Sequence, residues 1–364
     1  MGGIVRIAAT CVVLSFFSMG PIGRASFGSD APRLELRRTT RLDGIRGPVD
    51  RTGIPGRIDH MRYDPATKRL FIACVANGSL EVIDLDKESR AGSITGLHEP
   101  QGVGIAGDSV YVTTGEDGLL HHFDTRTLIA GRSVAVGDDA DNVRIAGDGK
   151  AWVSFGGTGP GGLARINLRS MASEARLTLP KMPEGFQVHD NGKRLFANVP
   201  AGKRSTEDGT VYCLDTSNGD PLWQRKLSGH AGNFPMALDS ANDRLFVVSR
   251  NPARLLCLNA RDGSILGETG CPPESDDLFF DPQSGLLAVI GGGSLPVAGE
   301  VGGVGASLDY FTIDEAGRPV KQGELPLPPH GRTGTLAVDR RAFYVAIPMA
   351  KDRPAELREY LIVD

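Results

Sequence analysis

The sequence is poor in the residues from which most catalytic and redox centres are built. Among 364 residues there are 7 histidines, 5 cysteines and 2 tryptophans. No Cys-x-x-Cys-His run is present, so covalent c-type haem is excluded, and the spacings of Cys74, Cys213, Cys257 and Cys271 fit no zinc site. There is no Gly-x-Ser-x-Gly elbow, and no serine has a convincing His and Asp beside it in the repeat pattern described below. The Gly-rich stretches are followed by neither Gly-Lys-Ser/Thr nor a helix pattern, which excludes a phosphate loop. Net charge is −4, with no basic stripe and no interleaved aromatics, which argues against a nucleic-acid partner. No apolar run reaches the roughly 20 residues that a membrane-spanning helix needs.

What the chain does have is turn chemistry and strand chemistry. Glycine (48) and proline (23) are plentiful, and 40% of residues are hydrophobic, enough for a large core. The N-terminus differs from the rest. Arg6 precedes an uncharged apolar run over residues 7–17, then Pro21 and the small residues around Ala25. This reads as a signal peptide over residues 1–25, leaving one domain over residues 26–364, periplasmic or secreted, with no transmembrane anchor after cleavage. The competing reading is a buried or disordered N-terminal helix. Cys11 lies inside the apolar run, not after it as a lipoprotein cysteine would. Cys74, Cys213 and Cys257 sit in apolar strand-like runs and are expected to be free and buried, although export would permit disulfides.

One pattern recurs along the whole chain. Residues 59–73 read as strand, Asp64-Pro65 turn and strand; residues 70–74 are apolar throughout, as in a strand covered on both faces. Asn77-Gly78 then signals a hairpin, and residues 80–84 form a third strand. A fourth follows at residues 91–97. Equivalents of Asp59 are Gln101, Asp141, Glu184, Phe234, Asp276 and Gly334, at steps of 42, 40, 43, 50, 42 and 58 residues. A period just above forty with four short strands predicts an all-β, WD40-like, seven-bladed β-propeller of four-stranded antiparallel blades. The seventh repeat runs out of chain after its third strand. Residues 33–38, before the first repeat, resemble a spare outer strand, so the N-terminal strand is expected to join the C-terminal blade and close the ring.

The segments Arg57-Ile58-Asp59-His60-Met61, Glu99-Pro100-Gln101-Gly102-Val103, Asp138-Asp139-Ala140-Asp141-Asn142-Val143 and Asn233-Phe234-Pro235-Met236 resemble those of bacterial exported propellers of the YncE-like, YVTN-repeat family. The resemblance covers essentially the whole mature chain. It implies the fold and no particular activity. More distantly, the pattern is similar to the propellers of quinoprotein amine dehydrogenase heavy chains and nitrous oxide reductase. The latter builds a copper cluster from many histidines; here only His60 stands at a repeat start, so that site is not carried over.

In propellers the innermost strands start at one face, where the loops between second and third strands also open. Repeat starts and second-strand ends therefore nominate a ligand-binding ring of Asp59, His60, Gln101, Asn142, Glu184, Asn233, Arg250 and Arg332. The bland alternative is that these groups cap strand ends and solvate a narrow channel. Asp139, Asp141, Asp276 and Asp277 are candidate ligands for a divalent cation such as calcium, against the alternative of acidic turns. No other cofactor is predicted. His121 and His122 fall on opposite faces of a strand and are not expected to share a metal. Loops over residues 156–162, 201–209, 291–305 and 348–355 are long on the same face. Three functions fit. The first is a monomeric propeller that binds a small molecule or a protein without catalysis. The second is a metal-assisted hydrolase or lyase of the propeller-lactonase type, using His60, Asp141 and Asp276. The third is a redox-partner subunit that depends on a second, cofactor-bearing chain. The first is preferred for want of any nucleophile or cofactor motif.

Overall fold

Each strand-turn-strand unit is pinned by its own turn. Asp64 ends the strand Met61–Asp64, and its carboxylate accepts from the Ala66 amide at 3.0 Å and the Thr67 hydroxyl at 2.5 Å. Asp84, Asp124, Asn167, Asp215 and Asn259 do the same for amides two residues on, each closing the turn after a third strand. These turns bring short apolar segments into antiparallel ladders. In Arg69–Cys74 the residues from Leu70 onward are completely buried, because a neighbouring sheet covers each face.

The computed structural model describes residues 31–45, 56–189, 191–202, 205–293 and 305–364. The expected signal peptide and parts of the long loops at 201–209 and 291–305 lie outside them. Apart from two 3-10 turns, regular structure among the described residues is entirely strand. Five sheets have four antiparallel strands, over residues 61–95, 100–135, 143–179, 275–326, and 333–363 with 33–41. The fold is an all-β propeller of four-stranded blades. A sixth sheet has seven strands over residues 185–270 and departs from the expected repeat. Its cause is the 19-residue strand Pro221–Asp239. Residues 221–226 pair with Asp208–Asp215, while residues 236–239 pair with Arg244–Asn251. The strand passes from one partner to the other through Gly229 and Gly232, both at positive φ.

Among the described residues the core falls into seven hydrophobic clusters, each drawn from two successive repeats. One joins residues 286–327 to 343–362, and another joins 337–357 to 58–85. The strand Arg33–Arg41 pairs with Glu356–Val363 as the outermost member of its sheet. Arg38 anchors it, donating to the buried Glu359 at 2.8 and 3.3 Å, where Tyr344 also donates at 2.8 Å. Burial alone would raise the Glu359 carboxyl; these bonds hold it below its usual range.

At the axis the innermost strands approach too closely for side chains at two repeat starts. A Cβ on Gly102 would come within 2.2 Å of the Asp141 carbonyl oxygen, and one on Gly185 within 2.4 Å of that of Phe234. Glycine there lets adjacent repeats meet.

Candidate functional site

The repeat starts are held by identical backbone ladders. The Asp59 amide donates to the Ala73 carbonyl at 2.9 Å, and the Ala73 amide to that of His60 at 3.0 Å. Asp141, Ser154 and Asn142 repeat this arrangement two repeats further on, at 3.0 and 2.9 Å. His60, Asn142, Glu184, Asp276 and Asp277 thereby face a cavity of about 290 Å³.

His60 sits among three carboxylates. Its Nε2 lies 3.7 Å from both Asp59 and Asp141, and its Nδ1 lies 3.5 Å from Asp277. Burial pushes the imidazole down, but the Asp277 hydrogen bond and the charges of Asp59, Asp277 and Asp141 outweigh it and raise His60 to about 9. It is therefore a cation at neutral pH. Arg57 pairs with Asp59 at 2.5 Å. Asp277 uses its second oxygen to accept the Gly334 amide at 2.9 Å, tying its strand to the next repeat. Asp276 faces the other way, onto Arg332 at 3.0 Å and Arg250 in a short contact. Burial opposes that charge, yet Arg332 and Arg250 hold the carboxyl down at about 2. Arg250 lies 3.7 Å over the Phe234 ring and donates to the Ser275 carbonyl at 3.0 Å.

Other ring members serve as stitches between repeats. Asn142 donates to the Glu184 carbonyl at 3.0 Å. Asn233 is fully buried and donates to Asn198, which itself donates to the Phe234 carbonyl. Gln101 donates to Asp139 at 3.1 Å. The four aspartates nominated for a cation do not form one ligand set among the described residues: Asp276 and Asp277 are adjacent in a strand and face different partners, and Asp139 is turned to Gln101. The ligand atoms that do converge, within 4.8 Å of one another, belong to Asp59, His60 and Asp141. A metal there would first have to displace the proton from His60.

His121 and His122 diverge, bonding Thr114 and Ser133 on one face and Ser109 on the other. The cysteines are free, and burial raises the thiols of Cys213 to about 11 and of Cys257 and Cys271 to about 12, so none is a ready nucleophile.

The charged cavity residues missed by the reading of repeat starts are Arg62 and Arg144, and the polar Gln187 lines the cavity at the same offset from Glu184. Each arginine stands three residues after its repeat anchor and two after a mouth residue, so strand alternation aims it the same way as His60 or Asn142. That offset was visible in the sequence.

The family described as outer membrane protein assembly factor BamB matches residues 172–307. The chain is 31% identical over 154 residues to the uncharacterised protein YncE of Escherichia coli K12, and 30% identical over the same length to that of Escherichia coli O157:H7. Each match covers 40% of this chain and 38% of the relative. Among solved structures, hydrazine synthase of Kuenenia stuttgartiensis aligns at a TM-score of 0.69 and 15% identity, over 85% of this chain and 99% of that one. A chain of the mitotic checkpoint complex aligns at 0.71 and 15%, over 97% and 99%. These likenesses show the fold alone. Among the described residues no helix is long and apolar enough to cross a membrane. The chain is a β-propeller, and its matches to YncE and to the BamB-type domain support a YncE-like β-propeller family.

Proposed function

We propose that the protein is an exported, monomeric, seven-bladed propeller that binds a small ligand at its charged channel mouth and performs no chemistry of its own. Seven blades follow if the strand Pro221–Asp239 is shared, its first part the outer strand of one blade and its last part the inner strand of the next. The seven clusters, each between successive repeats, are what such a ring needs, and the pairing of Arg33–Arg41 with Glu356–Val363 supplies its clasp. Deleting residues 26–45 should lower the thermal unfolding midpoint of the whole domain; an unchanged midpoint would contradict the clasp.

The observation that carries the binding reading is convergence with saturation. Charged groups from several repeats meet at one cavity, yet Asp59, Asp276 and Asp277 are already engaged by cations or backbone amides of the protein. A general base needs a free, unprotonated acceptor near the working pH. His60, as a cation, is not one, which disfavours the hydrolase reading built on it. Such a lattice shapes a cavity without supplying a reactive group. Native mass spectrometry with elemental analysis of protein purified from the periplasm tests this. A retained small molecule that is lost in Asp277→Asn supports binding. A stoichiometric divalent metal coupled to chelator-sensitive hydrolysis overturns it.

A further inference from the structure

The inner end of the cavity differs electrostatically from its mouth. At the mouth each arginine has a carboxylate partner: Arg57 has Asp59, and both Arg250 and Arg332 have Asp276. Arg62, on the strand Met61–Asp64, and Arg144, on the strand Val143–Ala146, also line the cavity. Among the described residues neither has a carboxylate at ion-pair distance. Arg144 is nonetheless held in place, with its guanidinium 5.5 Å over the Phe186 ring and a bond of 3.0 Å to the Val143 carbonyl.

The two cations feel each other. Burial, and then the charge of Arg62, bring Arg144 down to about 10, with Asp277 and Asp141, beyond ion-pair distance, opposing; burial also lowers Arg62, with Asp277 opposing. Two like charges in a confined space are costly without a counter-charge. Guanidiniums match carboxylates through paired N–H donors. Beside them the lining is mixed, with Asn142, Glu184 and Gln187 as well as an apolar wall formed by Leu238, Leu278, Phe279 and Leu336. A group that neutralises the arginines and also covers this wall has an anionic head and an apolar body. Size is compatible: an apolar cavity of about 150 Å³ already holds benzene, so about 290 Å³ accommodates a ring with a carboxylate.

We propose that Arg62 and Arg144 are the two prongs of a carboxylate subsite in the central cavity, which takes a small organic acid with an apolar body. This deepens the small-ligand reading of the same cavity and rests on it.

Isothermal titration of the full mature chain with sodium benzoate tests the subsite, with benzyl alcohol and inorganic phosphate as separate arms. Benzoate should bind one to one. Benzyl alcohol, without the charge, and phosphate, without the apolar body, should each bind about tenfold more weakly or worse. Arg62→Met and Arg144→Met should each weaken benzoate by about tenfold or more, and Arg144→Lys should also weaken it, because it keeps the charge but loses the fork. Both Met variants should fold, since they relieve repulsion; circular dichroism melts check this. Failure of benzoate to bind, equal affinity in the Met variants, or tighter binding of phosphate would overturn the proposal. If purified protein carries a small molecule that Asp277→Asn loses, yet benzoate does not bind, the carboxylate subsite falls and the binding reading stands. If neither is seen, both fall.

Discussion

The mouth of the cavity and its inner end are built from the same strands, yet they treat charge in opposite ways. At the mouth, Asp276 bridges Arg250 and Arg332, and Asp277 joins His60 to the Gly334 amide of the next repeat. Two residues deeper, Arg62 and Arg144 have no such partner among the described residues, and Arg144 leans on Phe186 instead. Charge that is paired across repeats ties neighbouring repeats together. Charge without a carboxylate in contact with it costs stability in a confined cavity, and this is the basis of the proposed carboxylate subsite.

Substitutions should separate the two regions. The largest effect is expected for Asp276→Ala, which leaves Arg332 without its carboxylate and Arg250 with only the half-exposed Glu274 at 3.6 Å; breaking a buried pair in this way costs about 3–5 kcal/mol, read from urea unfolding. Asp277→Asn removes the charge beside His60 but keeps an acceptor for the Gly334 amide, so a loss of about 1–3 kcal/mol is expected. Arg62→Met should leave apo stability unchanged or raise it, within about 1–2 kcal/mol. If Arg62→Met destabilises as much as Asp276→Ala, the distinction between the two regions fails.

The acid–base behaviour of the mouth sharpens the same contrast. His60 titrates near 6.5 when unfolded and near 9 in the mouth, surrounded by Asp59, Asp141 and Asp277. A raised folded value contributes stability that is fully present below pH 6.5 and lost as pH rises through 9. Asp276 shifts the other way, from 3.8 to about 2, so its contribution is present above pH 3.8 and lost as pH falls through 2. The unfolding midpoint should decline between pH 6.5 and 9 in the wild type, and His60→Gln should flatten that decline. An equal decline in His60→Gln would show that the alkaline loss arises elsewhere.

Much of the architecture was legible in the sequence because each repeat carries its own local instructions. Asp64-Pro65-Ala66-Thr67 is a self-bonding turn, and residues 70–74 are an apolar run of the length and composition that a strand covered on both sides requires. The strand at residues 33–41 stood out because the last repeat lacked an outer strand. The continuous strand Pro221–Asp239 was not legible: nothing in the repeat pattern marks a strand that serves two neighbours and bends at the positive-φ Gly229 and Gly232. The site was legible in its ring of repeat starts and not in its depth. Asp276 and Asp277 look like a pair in sequence, but strand alternation sends them to separate partners. Asn233 looks like a mouth residue and is an internal stitch. Arg62 and Arg144 repeat one offset from Asp59 and Asp141, a signal that only becomes chemical when the inner strands are followed past their first residue.

The most direct test of the central claim is the unfolding of the Arg62→Met, Arg144→Met double variant with and without benzoate. The account predicts apo stability equal to or above that of the wild type, together with loss of the ligand-induced rise in midpoint that binding to the folded state produces. A double variant that is less stable than the wild type and is still stabilised by benzoate would contradict it.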